Sequence, residues 1–123
     1  MKHGNQRDCK KISGLLQQRR LAGCYNELFA EDAVNIEPVA SVLSGIETKG
    51  LDKMKEKAKG YDAMVVKSYG YSVSEPLVAG NGIAFILTMD NDMKEHGRNT
   101  ISELCVYEVK DGKIIKEQFY YDH

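Results

Sequence analysis

The chain has no surplus of either charge. Seventeen Lys and Arg stand against eighteen Asp and Glu, a formal net charge of −1. Without a basic excess, nucleic acid is not expected as a main partner. No apolar run approaches the ~20 residues of a membrane span, so no membrane partner is expected either. The polar opening, Met1 to Asp8, lacks the apolar stretch of a secretory leader. Cysteine is scarce and odd in number. Cys9, Cys24 and Cys105 lie far apart, which excludes a disulfide framework and predicts reduced thiols in a cytoplasmic protein. The histidines His3, His96 and His123 fall in the tail, a turn and the C-terminus. No HxH, HxxxH or CxxC spacing exists, so neither a metal nor a cofactor is expected. Gly80-Asn81-Gly82 is too short for a phosphate loop and reads as a turn or bulge. There is no repeat and no low-complexity tract.

What remains is ordinary globular composition, 42% apolar and 28% charged. A chain of 123 residues fits one domain, residues 1–123, with a core that needs no staples. Cys9, Ile12, Leu15 and Leu16 recur at helical spacing, and Leu21, Cys24, Tyr25, Leu28 and Phe29 form a second apolar stripe. Glu31-Asp32 closes that helix. Val34 to Val39 reads as a short strand ended by Pro38, and Ala40 to Gly50 as a loop with room for a short strand at Val42-Leu43. Leu51, Met54, Ala58 and Tyr61 mark a third helix that ends near Gly60. Lys53, Lys55, Lys57 and Lys59 read as its solvated face.

From Met64 onward the pattern is β. The stretches Met64 to Ser74, Leu77 to Asp90, Arg98 to Val109 and Lys113 to Tyr121 are rich in β-branched and aromatic residues. Asp111-Gly112 is a hairpin signal. A hairpin at Gly80-Asn81-Gly82 would shift the strand starts by several residues. Helices early and a long antiparallel meander late predict an α+β fold. Long twisted strands curl. The expected shape is therefore a cone-shaped α+β barrel, three helices on a strongly curved antiparallel sheet, enclosing a pocket.

Two stretches carry a family resemblance. Leu28-Phe29-Ala30-Glu31-Asp32-Ala33-Val34-Asn35-Ile36-Glu37-Pro38 looks like a helix-end "YADDA" followed by a strand and an acid-Pro pair. Val106 to Asp122, with its Asp111-Gly112 turn, looks like a closing hairpin with an aromatic-rich last strand. Together they resemble the nuclear-transport-factor-2-like superfamily, which includes ketosteroid isomerases and SnoaL-like polyketide cyclases. The resemblance implies the cone fold and a pocket for a small, mostly apolar organic molecule. It implies a general base at Glu37, and inward positions for Glu117, Phe119 and Tyr121. The isomerase oxyanion positions fall near Ile12 and Cys105, neither a strong donor, so a ketosteroid isomerase in the strict sense is not expected.

The residues themselves add to this. Period two places Ile115, Glu117, Phe119 and Tyr121 on one face. A carboxyl there must be paired or protonated. Glu103 depends on hairpin register. A plain two-residue turn puts it with Tyr120, away from Glu117. A three-residue turn with a bulge at Gly112 slips the register by one and brings Glu103 and Cys105 onto the Glu117 face. Lys110-Asp111-Gly112-Lys113 fits the bulged form. Two inward carboxylates would repel and push one pKa up, as in acid/base pairs. Cys105 has no histidine partner and is a small core or pocket residue rather than a nucleophile. Tyr25 and Tyr121 are candidates to line the cavity with a hydroxyl. The Leu104/Val106 side of the sheet is more apolar than a solvated face needs, which predicts a homodimer. The candidate catalytic set is therefore Glu37, Glu117 and Glu103, with Tyr25, Cys105, Phe119 and Tyr121 as ligand contacts. The expected role is ligand binding, with acid/base isomerisation, cyclisation or dehydration as its chemistry. The alternatives are a non-catalytic carrier and a dimeric interaction module.

Overall fold

The computed structural model describes residues 25–122. The helix expected around Cys9 to Leu16, and most of the next one, lie outside the described residues. A helical turn, α1 (Tyr25–Leu28), leads directly into β1 (Phe29–Ile36). There follow β2 (Glu47–Lys49), α2 (Leu51–Met64), β3 (Val65–Val73), β4 (Leu77–Ala79), β5 (Gly82–Met93), β6 (Gly97–Lys110) and β7 (Lys113–Tyr120). All seven strands join one sheet in the order β2-β1-β7-β6-β5-β3, with β4 paired to β5. The sheet is mixed, because β1 runs parallel to β7 while the other pairs are antiparallel.

The alternating pattern explains the long strands. In β5, Ile83, Phe85, Met89 and Asn91 are buried while Ile86 is exposed. Across the ladder, Ile83 pairs with Tyr107 and Phe85 with Cys105, so the buried sides of β5 and β6 coincide. Tyr107 stacks on Phe85 at 5.6 Å between ring centroids and meets Phe29 edge-on at 6.4 Å. These three rings form a rigid floor. Strand β3 carries two register shifts, between Val65 and Lys67 and between Ser68 and Gly70. Gly70 has φ of 132°, a backbone state side chains disfavour. Bulges of this kind bend and twist a strand, and they curl this end of the sheet.

Several boundaries differ from expectation. Strand β1 begins at Phe29, not Val34, because Phe29 pairs with Ile114 of β7; tertiary pairing overrides the helical stripe. The short strand is at Glu47–Lys49 rather than Val42-Leu43. The Gly80-Asn81 pair is a hairpin turn that splits β4 from β5. Helix α2 continues past Gly60 to Met64. Gly60 serves packing instead: a Cβ added there would lie 2.9 Å from Leu43 Cδ2.

The last hairpin gives the most informative correction. Lys110 pairs with Lys113 across a two-residue turn, with φ of 53° at Asp111 and 78° at Gly112. Positive φ at both positions matches the primed turn that strand twist favours. There is no bulge at Gly112. The register slips further along, between the pairs Val109–Ile114 and Glu108–Lys116, so Ile115 is the extra residue. Ile114, not Ile115, is therefore the fully buried one. Beyond the slip, Tyr107 faces Glu117 and Cys105 faces Phe119. Glu103 thus shares the Glu117 face, by a bulge in a different place.

Candidate functional site

Helix α2 crosses the inner face of the sheet and leaves a cavity of about 590 Å³ between them. Met54, Ala58, Phe85, Leu87 and Met89 make its walls largely apolar. Glu103 and Glu117 both line it, as do Asn35, Lys57 and Tyr107.

Glu117 is 1% exposed. Asn35, itself buried, donates from Nδ2 to Glu117 Oε1 at 2.9 Å. Glu117 Oε2 is buried without a hydrogen-bond partner. Burial pushes this carboxyl up to about 7, against the pull of Asn35, the Lys57 charge and the Tyr107 hydroxyl; Glu37 adds to the rise. Glu103 is half-buried. Desolvation first, and then the Glu37 charge, push it up to about 7 as well, with Lys57 opposing.

Glu37 follows β1 directly, and its N–H donates to Ile46 O at 2.8 Å, which anchors the backbone there. Its carboxylate is engaged on both oxygens. Lys57 Nζ lies 2.5 Å from Oε2, and the Tyr121 hydroxyl donates to Oε1 at 3.0 Å. The ion pair is nearly dry, with side chains 15% and 11% exposed. Glu37 stands behind Lys57 and is not among the residues that line the cavity. Lys57 also donates to Asn35 Oδ1. A continuous chain therefore runs Tyr121–Glu37–Lys57–Asn35–Glu117.

Cys105 is buried at 1% exposure, beneath the cavity rather than on its lining. Burial, Glu103 and Glu117 raise its thiol pKa, so it stays protonated and is a poor nucleophile. Phe119 belongs to the same core. Tyr121 acts on Glu37 and does not line the cavity. Burial and the Glu37 charge raise its pKa. The Tyr25 side chain lies outside the described part of the structure.

Sequence reasoning missed Asn35 and Lys57. Each has a signal. Asn35 alternates with the buried Ala33 on β1. Lys57 falls three residues after Met54 and four before Tyr61, on the stripe that faces the sheet. Among the described residues no group of three His, Cys, Asp or Glu could hold a metal ion, and no helix is long and apolar enough to cross a membrane.

Comparison with known proteins agrees with this architecture. No curated protein matches the chain. Among solved structures, a provisionally assigned SnoaL-like polyketide cyclase from Mesorhizobium loti is 29% identical, with a TM-score of 0.82 over 94% of this chain and 97% of that one. A protein of unknown function with a cystatin-like fold from Xanthomonas campestris is 12% identical, with a TM-score of 0.78 over 94% and 91%. A protein with a ketosteroid isomerase-like fold from Catenulispora acidiphila, solved with trimethylamine, is 15% identical, with a TM-score of 0.67 over 82% and 81%. The last two likenesses speak to fold alone. The profile of the SnoaL-like domain matches residues 4–121, nearly the whole sequence, and on that match the chain belongs to the SnoaL-like domain family.

Proposed function

We propose that this protein binds a small, mostly apolar organic molecule in the cavity under α2 and transfers protons on it, as an isomerase or cyclase does. One observation carries this reading. Two carboxyls, Glu103 and Glu117, line one apolar cavity, and both titrate near 7. Groups poised near the working pH serve best as acid and base.

The roles follow from surroundings. Glu103 is the more exposed of the two, and as a carboxylate it takes a proton from carbon beside a carbonyl. Glu117, held protonated in the dry floor, donates to the carbonyl oxygen, and an enol results. Where the enol is conjugated with a second double bond, Glu103 returns its proton to the far carbon as the enol O–H proton goes back to Glu117, which completes an isomerisation; attack of the enol carbon on a second carbonyl, with Glu103 protonating the new alkoxide and Glu117 recovering the enol proton, would make a ring. Glu37 moves from base to electrostatic support, since Lys57 and Tyr121 occupy its oxygens and its charge helps hold protons on its neighbours.

The test is deuterium exchange in D2O. Aromatic methyl ketones are incubated with protein, and NMR follows loss of the protons beside the carbonyl. Wild-type protein should accelerate exchange, and Glu103→Gln should cut that acceleration by about 10²–10⁴-fold. Binding without any exchange would make the protein a carrier.

The outer face supports a homodimer in the same reading. Ile86, Leu104 and Tyr120 form one row across β5, β6 and β7, each more than 40% exposed. An apolar row of this kind suits a self-complementary contact. Leu104→Lys is expected to convert a dimer to monomer in sedimentation, with the pocket unaffected; a monomeric wild type would remove the dimer from the reading.

A further inference from the structure

Lysine can only donate hydrogen bonds, and carboxylate oxygens without a proton can only accept them. These two facts propagate along the buried chain. Lys57 Nζ faces Asn35 Oδ1, so the carboxamide is turned with its NH2 toward Glu117. Asn35 Nδ2 donates to Oε1, and the carbonyl oxygen of a neutral acid accepts better than its hydroxyl, so Oε1 is the carbonyl oxygen. When Glu117 is neutral, its proton resides on Oε2, the oxygen with no partner.

We infer that Lys57 is a positioning residue. Acting through the Asn35 amide, it presents Glu117 Oε2–H to the ligand and so selects an uncharged molecule with a carbonyl oxygen. This rests on the cavity being a ligand site. It adds which oxygen donates, what fixes it, and the class of ligand group received. The Tyr107 hydroxyl lies near this carboxyl but makes no hydrogen bond to Oε2 in the geometry seen; a buried donor without a well-placed acceptor is costly, and a carbonyl oxygen at that point removes the cost. A ligand carboxylate would give up its hydration in a largely apolar cavity where Lys57 is already paired with Glu37, and an alkyl group would leave the donor unmet. The charged and titratable groups around Glu117 are Glu37 beyond β1, Lys57 from α2, and Glu103, Cys105 and Tyr107 from β6. Of these, Lys57 alone contacts the Asn35 oxygen among the bonds described.

The experiment compares two probes of nearly equal shape, 2-acetylnaphthalene and 2-isopropenylnaphthalene, by fluorescence titration from pH 5.5 to 8.5. Wild-type protein should favour the ketone by about tenfold at low pH, the worth of one hydrogen bond to a buried donor. That preference should fade as the pH passes 7. Lys57→Arg, also a pure donor, should retain it. Lys57→Met frees the amide to turn its oxygen toward Glu117 and draw the proton to Oε1, so the ketone preference should vanish while the hydrocarbon still binds. Should Lys57→Met not fold, Lys57→Gln replaces it. Its amide can offer either face, and the preference should drop without vanishing. A ketone preference that is absent in wild type, or unchanged with the same pH profile in Lys57→Met or Lys57→Gln, overturns the inference and leaves the cavity reading intact. Failure of both probes to bind wild type overturns the cavity reading and the inference with it.

Discussion

Glu117→Gln is expected to abolish proton transfer and, at pH 8, to make the protein more stable than wild type. The sign comes from linkage. The folded value of Glu117, about 7, lies above its ordinary 4.5. Below pH 4.5 both folded and unfolded chains hold the proton, and this residue costs nothing. Between 4.5 and 7 the unfolded chain releases it while the folded chain keeps it, so stability falls as the pH rises through that window. A displacement of that size corresponds to roughly 3 kcal/mol by pH 8. Glutamine has nearly the shape of the protonated acid and does not titrate. It can accept from Asn35 on its oxygen, as Glu117 Oε1 does. The variant should therefore match wild type at pH 4.5 and exceed it by about 3 kcal/mol at pH 8, less whatever the buried amide itself costs. Urea unfolding at the two pH values reads this directly. Glu103 shifts in the same direction and remains in both proteins, so some pH dependence persists. Parallel stability profiles for the two proteins would mean that Glu117 titrates normally, and the acid role would go with it. Stability given up at a buried carboxyl is a common mark of a functional site.

Much of this architecture is legible in the sequence because period two is a strong signal. Ile83, Phe85 and Met89 alternate with outward residues, and Asp111-Gly112 marks the closing turn. What is not legible depends on single-residue slips. The bulge at Ile115 leaves no compositional trace, since isoleucine is at home in any strand, yet it decides which of Ile114 and Ile115 is buried. The turn residues imply an inward Glu103 through a bulge at Gly112, whereas the register shift that turns it inward lies at Ile115. Glu117 was readable from its apolar neighbours Phe119 and Tyr121. Lys57 was obscured for a different reason. It stands in a run of alternating lysines, and only its place between Met54 and Tyr61, three residues after the one and four before the other, sets it apart from Lys53, Lys55 and Lys59. Glu37 drew attention by its place before Pro38, but local sequence cannot show that a lysine twenty residues on and a tyrosine beyond the last strand would occupy both its oxygens.

That nearly dry ion pair is the other place where one substitution should act strongly. Lys57→Met is expected to destabilise the fold by about 3–5 kcal/mol, the usual result of leaving a buried charge without its partner. The loss is not the worth of the pair. It comes from Glu37, whose side chain is 11% exposed and would retain only the Tyr121 hydroxyl. The double variant Lys57→Met, Glu37→Leu removes both charges and their desolvation cost together, and it should recover most of the loss or surpass wild type. The two single variants and the double form a thermodynamic cycle, with a coupling expected near the upper end of the ~0.5–3 kcal/mol seen for contacting residues. Additive losses would show that the two side chains do not meet in solution. The double variant also separates stability from function. It folds without the chain that orients Asn35, and it lacks the Glu37 charge that helps keep Glu103 and Glu117 protonated. Glu103, on which the Glu37 charge outweighs that of Lys57, should then titrate over a lower pH range, and Glu117, on which Lys57 outweighs Glu37, over a higher one; with Asn35 no longer oriented, proton exchange on a bound ketone should weaken in a protein as stable as wild type. A stable fold with a weakened site is the outcome expected if the ion pair is retained for chemistry rather than for folding.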